Sequence, residues 1–271
     1  MKISIITINF NNKNGLRKTI ESVICQTYHN YEFIIIDGAS TDGSLNIIKD
    51  YEDKIDIWIS EPDRGIYHAM NKGILKATGD YLNFLNSGDC FYKRDVLEII
   101  ANSDNRSDMI VGKDFHYNKI TNQGFVIKLP PRLSMLTFIN DTLPHQSTFF
   151  KRELFNTSLY DDTLDIAADM KFYIQKICIE QCSVSFIDEI ICLREPDGVS
   201  MIQNKKRELE YNKIIKDILP IGAIKDYQSL HHLDKSTMYK LMIILDNATC
   251  RKWLTYCIKF IYRINKRKIT T

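Results

Sequence analysis

The stretch Tyr81-Leu82-Asn83-Phe84-Leu85, followed by Asn86-Ser87-Gly88-Asp89, joins a short apolar run to a polar turn that ends in a carboxylate. The apolar run is typical of a buried strand. Open α/β sheets bind their ligands at the carboxyl ends of central strands, where this turn would lie. A carboxylate there can hold a hard divalent cation, and the cation can hold a diphosphate. We therefore expect an enzyme that acts on a nucleotide-activated substrate.

Three strand-like runs precede this stretch, and helical patterns separate them. Because the connecting loops are short, the alternation predicts a parallel, doubly wound sheet with right-handed crossovers. The loops that follow the strands are rich in Asn, Asp and Gly, and we expect their polar groups to meet at one edge of the sheet. The predicted strands are 3–8, 31–36, 55–59 and 81–85, and the helices between them are 13–27, 44–51 and 66–77.

After Asp89 the periodicity is less regular. Helices are predicted at 94–101, 166–179 and 205–219, and strands at 109–117, 125–129 and 184–193.

Composition and charge indicate an ordinary globular protein with an unusual tail. Apolar residues make up 44% and charged residues 26% of the 271 residues. The net charge of +2 conceals an asymmetry, because the residues from Lys235 onward carry nine Lys and Arg against one acid. The rest of the chain is therefore mildly acidic, and a basic tail on an acidic body suggests that the tail has its own anionic partner.

Cysteine usage and the termini favour a cytoplasmic protein. The seven cysteines include no CxxC pair, and we expect buried, reduced thiols. The N-terminus lacks the apolar core and cleavage site of a signal peptide. No run of about 20 mostly apolar residues occurs, so we predict no transmembrane helix.

Two carboxylates follow predicted strands directly. Asp37 can accept hydrogen bonds from the base or ribose of a nucleotide, although Asp is also common as a turn residue or helix cap. Asp89 suits Mg²⁺ or Mn²⁺, which keep waters and share phosphate oxygens with a substrate. Gly88 lets the backbone approach a ligand closely. A helix cap before Arg94 is the structural alternative for Asp89.

Three further sites carry side chains suited to catalysis or binding. Arg64 can pair with a phosphate, or alternatively with Asp63 or Glu61 at the surface. Asp169 can act as a general base toward a substrate hydroxyl, or simply favour the start of a helix. His145 and Gln146 can touch a sugar hydroxyl or the diphosphate, although a lone His is more often structural.

Motifs of several competing enzyme classes are missing. No GxGxxG follows the first strand, and the chain has no GxxxxGK[ST], HExxH or GxSxG. A nucleotidyltransferase on a similar sheet and a non-catalytic nucleotide-sugar binder remain as alternatives to an enzyme that transfers the activated group of such a substrate.

With these residues in view, the chain resembles the family 2 glycosyltransferases of GT-A fold. The match is ordered over residues 1–90, weaker to about residue 200, and does not cover the tail. The segments that carry it are 4–11, 22–27, 36–44, 61–67, 69–73, 77–81, 85–89, 145–150, Ala168-Asp169 and Gly198-Val199-Ser200. The Asp37-Gly38 and Pro62-Asp63-Arg64-Gly65 variants resemble a subgroup associated with bacterial O-antigen and capsule assembly.

The resemblance implies an α/β, Rossmann-like GT-A domain over residues 1–204, with a nucleotide-binding half (1–90) and an acceptor half (91–204). A helical extension, 205–271, follows. It also implies an inverting enzyme that transfers a sugar from a nucleoside-diphosphate sugar, a UDP-hexose, to a glycan acceptor, lipid-linked in this subgroup.

The resemblance assigns roles to individual residues. Asp169 is the implied catalytic base and Asp89 the implied ligand of Mn²⁺ or Mg²⁺. Gly38 and Gly88 stand where many family members have a second Asp. The implied nucleotide and donor contacts are Thr7, Asn9, Asp37, Arg64, Lys72, Asn86, Ser87 and Gly88, and His145 and Gln146 are acceptor or diphosphate contacts.

The tail between residues 251 and 268 contains seven basic residues and no acid. Trp253, Leu254, Cys257, Ile258, Ile261 and Ile264 share one face of a predicted helix. The pattern resembles an interfacial helix on an anionic membrane, which would place the protein on the inner face of the plasma membrane. The alternative is a helix packed on the catalytic domain or on a homodimer partner. Nucleic acid is not expected, because the rest of the chain is acidic and lacks a reader motif.

Overall fold

The computed structural model describes residues 1–103, 105–118, 120–139, 142–194, 204–220, 222–224 and 235–269. The motif segment 198–200 lies outside these residues. The chain divides into two compact units. The first comprises Met1–Leu129 and Thr142–Leu219, and the second Pro130–Asp141 and Pro220–Thr271. The predicted domain boundary after residue 204 stays a prediction.

The first unit contains one mixed sheet, which has nine strands in the described residues. Its order is β3-β2-β1-β4-β8-β6-β9-β5, and β7 pairs with β6 beside this path. The strands are β1 Ile3–Asn9, β2 Tyr31–Asp37, β3 Ile57–Ser60, β4 Tyr81–Phe84, β5 Cys90–Phe91, β6 Met109–Asn118, β7 Gln123–Val126, β8 Thr148–Lys151 and β9 Val184–Arg194.

Eight α-helices lie in the described residues: α1 Lys13–Ile24, α2 Ser44–Asp50, α3 Ile66–Lys76, α4 Val96–Asn102, α5 Ala168–Tyr173, α6 Asn204–Ile218, α7 Lys235–Asp246 and α8 Ala248–Ile269. A π-helical segment, Ile174–Ile179, continues α5, and short 3₁₀ helices occur at Glu52–Lys54, Met135–Ile139, His145–Ser147 and Arg152–Phe155.

The predicted parallel half of the sheet is present. β1 pairs in parallel with β2 and β4, and β2 pairs in parallel with β3. Every residue of β1 is buried, as expected for a strand covered on both faces. Leu16 and Ile20 of α1 pack on one face with Ile3 and Ile5.

α3 covers the opposite face of the sheet through a close contact at Gly73. A Cβ atom on this residue would lie 2.4 Å from Ile6 Cγ2, so a larger residue would push the helix away from the sheet. The close approach therefore sets the distance between α3 and the sheet. Tyr67 lies in the first turn of this helix.

The second half of the sheet is mixed, and two of its strands were not predicted. β8 is antiparallel to both β4 and β6, and the two-residue β5 is antiparallel to β9. The run Thr148–Lys151 has two apolar residues, too few to indicate a strand, and its pairing with β4 depends on distant residues. Aromatic rings pack together beneath this region: Phe84, Phe150, Phe155, Tyr160, Phe172 and Tyr173.

The start of α5 is capped by a residue distant in sequence. Glu210 of α6 accepts the backbone N–H groups of Asp165, Ile166 and Ala167 at 2.9–3.0 Å. These N–H groups precede the helix and have no intrahelical acceptor, so Glu210 supplies one. The carboxylate therefore holds the entry to α5, in whose first turn Asp169 lies.

The second unit contains α7 and α8, and Arg132 pairs with Asp246 at 2.7 Å within it. In the described residues, no helix has the length and apolar content needed to cross a membrane. The seven cysteines, all described, form no disulfide. The prediction that they are buried holds for Cys192 alone, while Cys25, Cys250 and Cys257 are exposed.

A buried carboxylate, Glu32, supports the N-terminal half of the sheet. It accepts hydrogen bonds from Lys2 Nζ at 2.7 Å, Ser4 Oγ at 2.5 Å and Thr78 Oγ1 at 2.6 Å. Burial raises the pKa of Glu32, but these bonds outweigh it and lower the pKa to about 2. The folded state therefore favours the ionised form more strongly than the unfolded chain does.

We expect Glu32→Gln to lower the free energy of unfolding at pH 7 by about 3 kcal/mol, because a pKa unit corresponds to about 1.4 kcal/mol. The contribution is fully present above the unfolded pKa of 4.5 and is lost as the pH falls toward 2. Urea unfolding at pH 7 and pH 3 measures the difference. Glu153→Gln, at an exposed site, is the control and should change stability by less than about 0.5 kcal/mol. An equal difference at both pH values would contradict the assignment.

Candidate active site

The carboxyl ends of β1, β2 and β4 meet at one edge of the sheet. Asn9 and Asp37 are register partners at the ends of β1 and β2. β4 runs parallel beside β1, and residues 86–89 follow it at the same edge. The polar loops therefore converge, as the sequence pattern predicted.

Asp37 is held by four hydrogen bonds. Its Oδ1 accepts from Asn9 Nδ2 at 2.8 Å and Ser40 Oγ at 2.6 Å, and its Oδ2 accepts from Ser40 N at 2.9 Å and Ser60 Oγ at 2.6 Å. Burial raises the pKa of Asp37, but these bonds outweigh it and the pKa lies below its usual value. Because a carboxylate has about four acceptor sites, Asp37 orders the loop. Its predicted contact with a base or ribose gains no support from this geometry.

Thr7 and Asn9 are both turned into the protein. Thr7 is fully buried, and its hydroxyl donates to the Leu85 carbonyl at 2.7 Å. The Nδ2 of Asn9 donates to Asp37 Oδ1 and to Ser40 Oγ. Neither side chain is presented to a ligand, so the predicted nucleotide contacts stay predictions that the geometry does not favour. Phe10, which sequence reasoning passed over, is 68% exposed beside them, with its ring against Gly38.

Arg64 and Lys72 lie in ion pairs near the predicted donor loop. Arg64 Nη2 is 2.7 Å from Asp162 Oδ2, so the expected surface alternatives, Asp63 and Glu61, are not its partners. Those two acids pair with Lys72 Nζ instead, each at 2.7 Å. Burial lowers the pKa of Lys72, but Asp63 and Glu61 outweigh it and raise the pKa above its usual value. Arg64 is mostly exposed and is the more accessible cation of the two.

The loop Asn86–Asp89 is fixed by α1. Thr19 Oγ1 accepts from the Gly88 N–H at 3.0 Å and donates to the Asp89 carbonyl at 2.7 Å. Asn12 Nδ2 donates to the Ser87 carbonyl at 3.0 Å. Gly88 has a φ of 105°, which a residue with a side chain rarely adopts. The turn that carries Asp89 is therefore set by local geometry.

Asp89 faces a buried guanidinium that sequence reasoning missed. Arg194 Nε lies 3.7 Å from Asp89 Oδ1, and Arg194 Nη1 lies 3.7 Å from Asp114 Oδ2. Burial raises the pKa of Asp89, and the charge of Arg194 only partly offsets this. Burial lowers the pKa of Arg194, but the carboxylates of Asp89, Asp114 and Asp169 raise it above its usual value. A positive charge thus stands beside the proposed diphosphate loop.

Asp169 is buried and held by defined donors. Its Oδ1 accepts from Tyr67 Oη at 3.0 Å and from the Met170 N–H at 2.8 Å. The same hydroxyl lies 2.7 Å from the Ile166 carbonyl, so the two acceptors share its one proton. Burial, followed by the charge of Asp169, raises the pKa of Tyr67 well above its usual value. The hydroxyl therefore remains a donor to the carboxylate.

His145 connects Asp169 to the loop that carries Asp89. His145 Nδ1 lies 3.3 Å from Asp169 Oδ2, and His145 Nε2 lies 3.2 Å from Asn86 Nδ2. With the Asn86 amide in this orientation, its Nδ2 donates to Nε2, and the Nδ1 of a neutral His145 then donates toward the carboxylate. The structure thus brings together His145, Asn86 and Asp169, which are far apart in sequence.

The donor atoms near Asp89 fit a hard cation in part. In the described portion of the chain, no group of three or more His, Cys, Asp or Glu side chains stands ready to hold a metal. The amide oxygens of Asn86 and Gln146 are buried and lack a hydrogen-bond partner among the described residues. One carboxylate with amide oxygens suits Mg²⁺ or Mn²⁺ whose other ligands are water and substrate phosphates.

Comparison with known proteins identifies the family of this chain. A family model described as glycosyl transferase family 2 matches residues 4–180. The chain is 34% identical over 212 residues to the uncharacterized glycosyltransferase Rv1514c of Mycobacterium tuberculosis, an alignment that covers 73% of this chain and 76% of the relative. The chain therefore belongs to glycosyl transferase family 2, a class of enzymes that use nucleotide-sugar donors.

Two solved structures share the fold. Staphylococcus aureus TarS 1–349, in complex with UDP-GlcNAc, matches with a TM-score of 0.67 and 19% identity, over 80% of this chain and 65% of TarS 1–349. The mannosyltransferase PcManGT of Pyrobaculum calidifontis, in complex with GDP-Man and Mn²⁺, matches with a TM-score of 0.63 and 16% identity, over 95% of this chain and 79% of PcManGT. The predicted α/β fold of GT-A type is confirmed.

Proposed function

We propose that this protein is an inverting, metal-dependent glycosyltransferase. It moves a sugar from a nucleoside-diphosphate sugar, a UDP-hexose, to a lipid-linked glycan acceptor in bacterial surface polysaccharide synthesis. The observation that carries the proposal is the chain of contacts from Asp169 through His145 to Asn86. These contacts link the buried carboxylate of Asp169 to the loop that carries Asp89, so the proposed base lies beside the proposed diphosphate site.

Asp169 acts as the general base. It takes the proton of an acceptor hydroxyl as the oxygen attacks the anomeric carbon and the bond to the diphosphate breaks. The donors Tyr67 and Met170 N–H hold its Oδ1, and His145 holds its Oδ2. These contacts fix the orientation of the carboxylate before the acceptor arrives, which reduces the reorganisation required in the transition state. A single displacement of this kind inverts the anomeric configuration.

Asp89 would hold the divalent cation, Mn²⁺ or Mg²⁺, and the unpartnered amide oxygens of Asn86 and Gln146 are candidates for further ligands. Such a cation, when bound, neutralises charge that develops on the departing diphosphate. Arg194 adds a second positive charge on the same side of the loop. The Mn²⁺ bound by PcManGT supports this assignment by analogy.

The donor binds along the edge formed by β1, β2 and β4. The exposed ring of Phe10 gives a nucleobase an apolar surface. The diphosphate then lies beside the loop that contains Ser87 and Gly88. Arg64, which is 73% exposed, contacts the donor once it leaves Asp162. The UDP-GlcNAc bound by TarS supports a UDP-sugar, and the capsule and O-antigen assignment rests on the sequence resemblance alone.

Release of nucleoside diphosphate tests the function. The protein is incubated with a panel of UDP-, GDP- and dTDP-sugars, with Mn²⁺, with Mg²⁺ and with chelator. Sugar transfer predicts metal-dependent release of nucleoside diphosphate, whereas a nucleotidyltransferase would release pyrophosphate. Binding of a donor with no release across a broad acceptor panel would instead indicate a non-catalytic binder.

The C-terminal helix α8 supports peripheral attachment to the inner face of the plasma membrane. Trp253, Tyr256, Phe260 and Ile261 recur at helical spacing and are 56–70% exposed. Basic residues, including Arg251, Lys252 and Lys259, occupy the same helix. Exposed aromatic rings with basic neighbours are typical of helices that lie in an anionic bilayer surface. Such attachment would bring the enzyme and a lipid-linked acceptor together.

We expect the protein to co-sediment with vesicles of phosphatidylglycerol and phosphatidylcholine, and added salt to weaken the binding. The double variant Trp253→Ser, Phe260→Ser should bind about tenfold more weakly, because two apolar side chains no longer enter the bilayer. Ile120→Ser, which is 96% exposed and outside the helix, is the control. Equal vesicle binding by the double variant and the control would exclude α8 as the anchor and favour its packing against protein.

A further inference from the structure

Four neighbouring strands place one residue each in a row across the sheet. Phe125 of β7 pairs with His116 of β6, and His116 pairs with Arg194 of β9. Asp89 directly precedes Cys90, whose partner is Leu193, so it lies beside Arg194. Paired residues of neighbouring strands face the same side of a sheet. The row therefore runs from the active-site carboxylate to the hairpin formed by β6 and β7.

Side-chain contacts confirm that the row is continuous. Arg194 lies 3.7 Å from both Asp89 and Asp114, and His116 Nε2 lies 3.8 Å from Asp114 Oδ2. The His116 and Phe125 rings are 5.4 Å apart between centroids. The charged end is largely buried, whereas Phe125 is 62% exposed.

The exposure of Phe125 contrasts with the aromatic residues on the other face of the same hairpin. Phe115 packs against Tyr92 and Tyr117, with ring centroids 5.5 and 6.5 Å apart. These rings pack against one another, whereas the ring contact of Phe125 within the described residues is the one with His116. A single exposed aromatic residue is common on protein surfaces, and the alignment of this one with the active-site carboxylate is what distinguishes it.

The length and chemistry of the row match an oligosaccharide. Three strand spacings of about 4.8 Å separate Asp89 from Phe125, about 14 Å in total, which exceeds one sugar ring. His116, whose side chain is 18% exposed, can hydrogen-bond to a sugar hydroxyl group, and the buried Asp114 lies behind it. The apolar C–H face of a sugar ring can lie on the face of Phe125, as apolar groups pack on aromatic rings elsewhere.

We infer that this row is the acceptor subsite, and that Phe125 stacks on a sugar unit beyond the one that carries the reacting hydroxyl. The inference rests on the proposed function for its placement of the reaction at Asp89 and Asp169. It makes Phe125 a specificity-determining residue: it favours acceptors of two or more sugar units over monosaccharides.

Binding measurements with a fixed saccharide panel test the inference. Isothermal titration, in the presence of UDP and Mn²⁺, compares methyl glycosides of glucose, galactose, mannose and N-acetylglucosamine with their β-linked disaccharides. We expect the wild type to prefer at least one disaccharide over its monosaccharide. Phe125→Ala should reduce that preference roughly tenfold, and Phe125→Trp should retain it. Ile120→Ala, in the same hairpin but outside the row, should match the wild type.

The same preference in the wild type and in Phe125→Ala would overturn the inference, and so would the absence of saccharide binding in both. Release of nucleoside diphosphate by the wild type is scored separately. If no donor is turned over but the preference depends on Phe125, then the proposed function fails and the row remains a saccharide site. If donors are turned over but the preference is insensitive to Phe125, then the inference about the row alone fails.

Discussion

Asp169→Asn should lower kcat by about 10²- to 10⁴-fold, because an amide cannot accept the proton of the attacking hydroxyl. Asn keeps the shape of the side chain and an oxygen for Tyr67 and the Met170 N–H, so the local fold should persist. Donor binding should change by less than about twofold, since the lost interaction is made only in the transition state. Single-turnover kinetics with a competent donor and acceptor, and titration of the donor alone, measure the two quantities.

Asp165→Asn is a matched control for this experiment. Asp165 lies four residues away at the entry to α5 and pairs with Lys206 at the surface. Its side chain has no place in the proposed reaction, so turnover should stay near the wild-type value. Transfer by Asp169→Asn at near the wild-type rate would show that another group accepts the proton.

Asp89→Asn should lower sugar transfer by about 10²- to 10³-fold, because charge on the leaving diphosphate loses its metal-mediated stabilisation. The substitution also removes the carboxylate opposite Arg194, which leaves that buried guanidinium with Asp114 as its ion-pair partner among the described residues. Titration of Mn²⁺ in the presence of UDP, followed by electron paramagnetic resonance, should show loss of the bound ion. This readout does not depend on turnover.

Asp95→Asn provides the control for Asp89, because Asp95 is exposed and makes no side-chain capping bond at the start of α4. Thermal unfolding of both variants separates a loss of metal from a loss of folding. Undiminished Mn²⁺ binding by Asp89→Asn would remove Asp89 from the metal site. It would then favour Arg194 as the main charge opposite the diphosphate.

The N-terminal half of the fold was predictable because its information is local. β1 and β2 are short runs rich in Ile, and α1 and α3 carry apolar residues at helical spacing, so the local pattern identifies them. β8 was missed because Phe149 and Phe150 are its only two apolar residues, too few to indicate a strand. Its place between β4 and β6 depends on pairing across the chain.

The candidate site was predictable to a smaller degree, for a similar reason. Asp89 and Asp169 stood out because their sequence neighbours indicate a strand end and a helix start. The sequence does not reveal that Asn9, Ser40 and Ser60 occupy the hydrogen-bond acceptor sites of Asp37, because this depends on how three loops fold together. Arg194 was hidden as well, since an Arg at the end of a strand has no local signal for the carboxylates it meets.

The hydrogen bonds that Glu210 accepts ahead of α5 limit how far this enzyme can be truncated at its C-terminal end. A fragment that ends at residue 204 keeps every proposed catalytic side chain but leaves three backbone N–H groups ahead of α5 without their acceptor. The carboxylate of Asp169 would then sit on a loosened helix start. A catalytic fragment for crystallisation or engineering must therefore extend through α6, which supports the proposed base by holding the backbone that leads into α5.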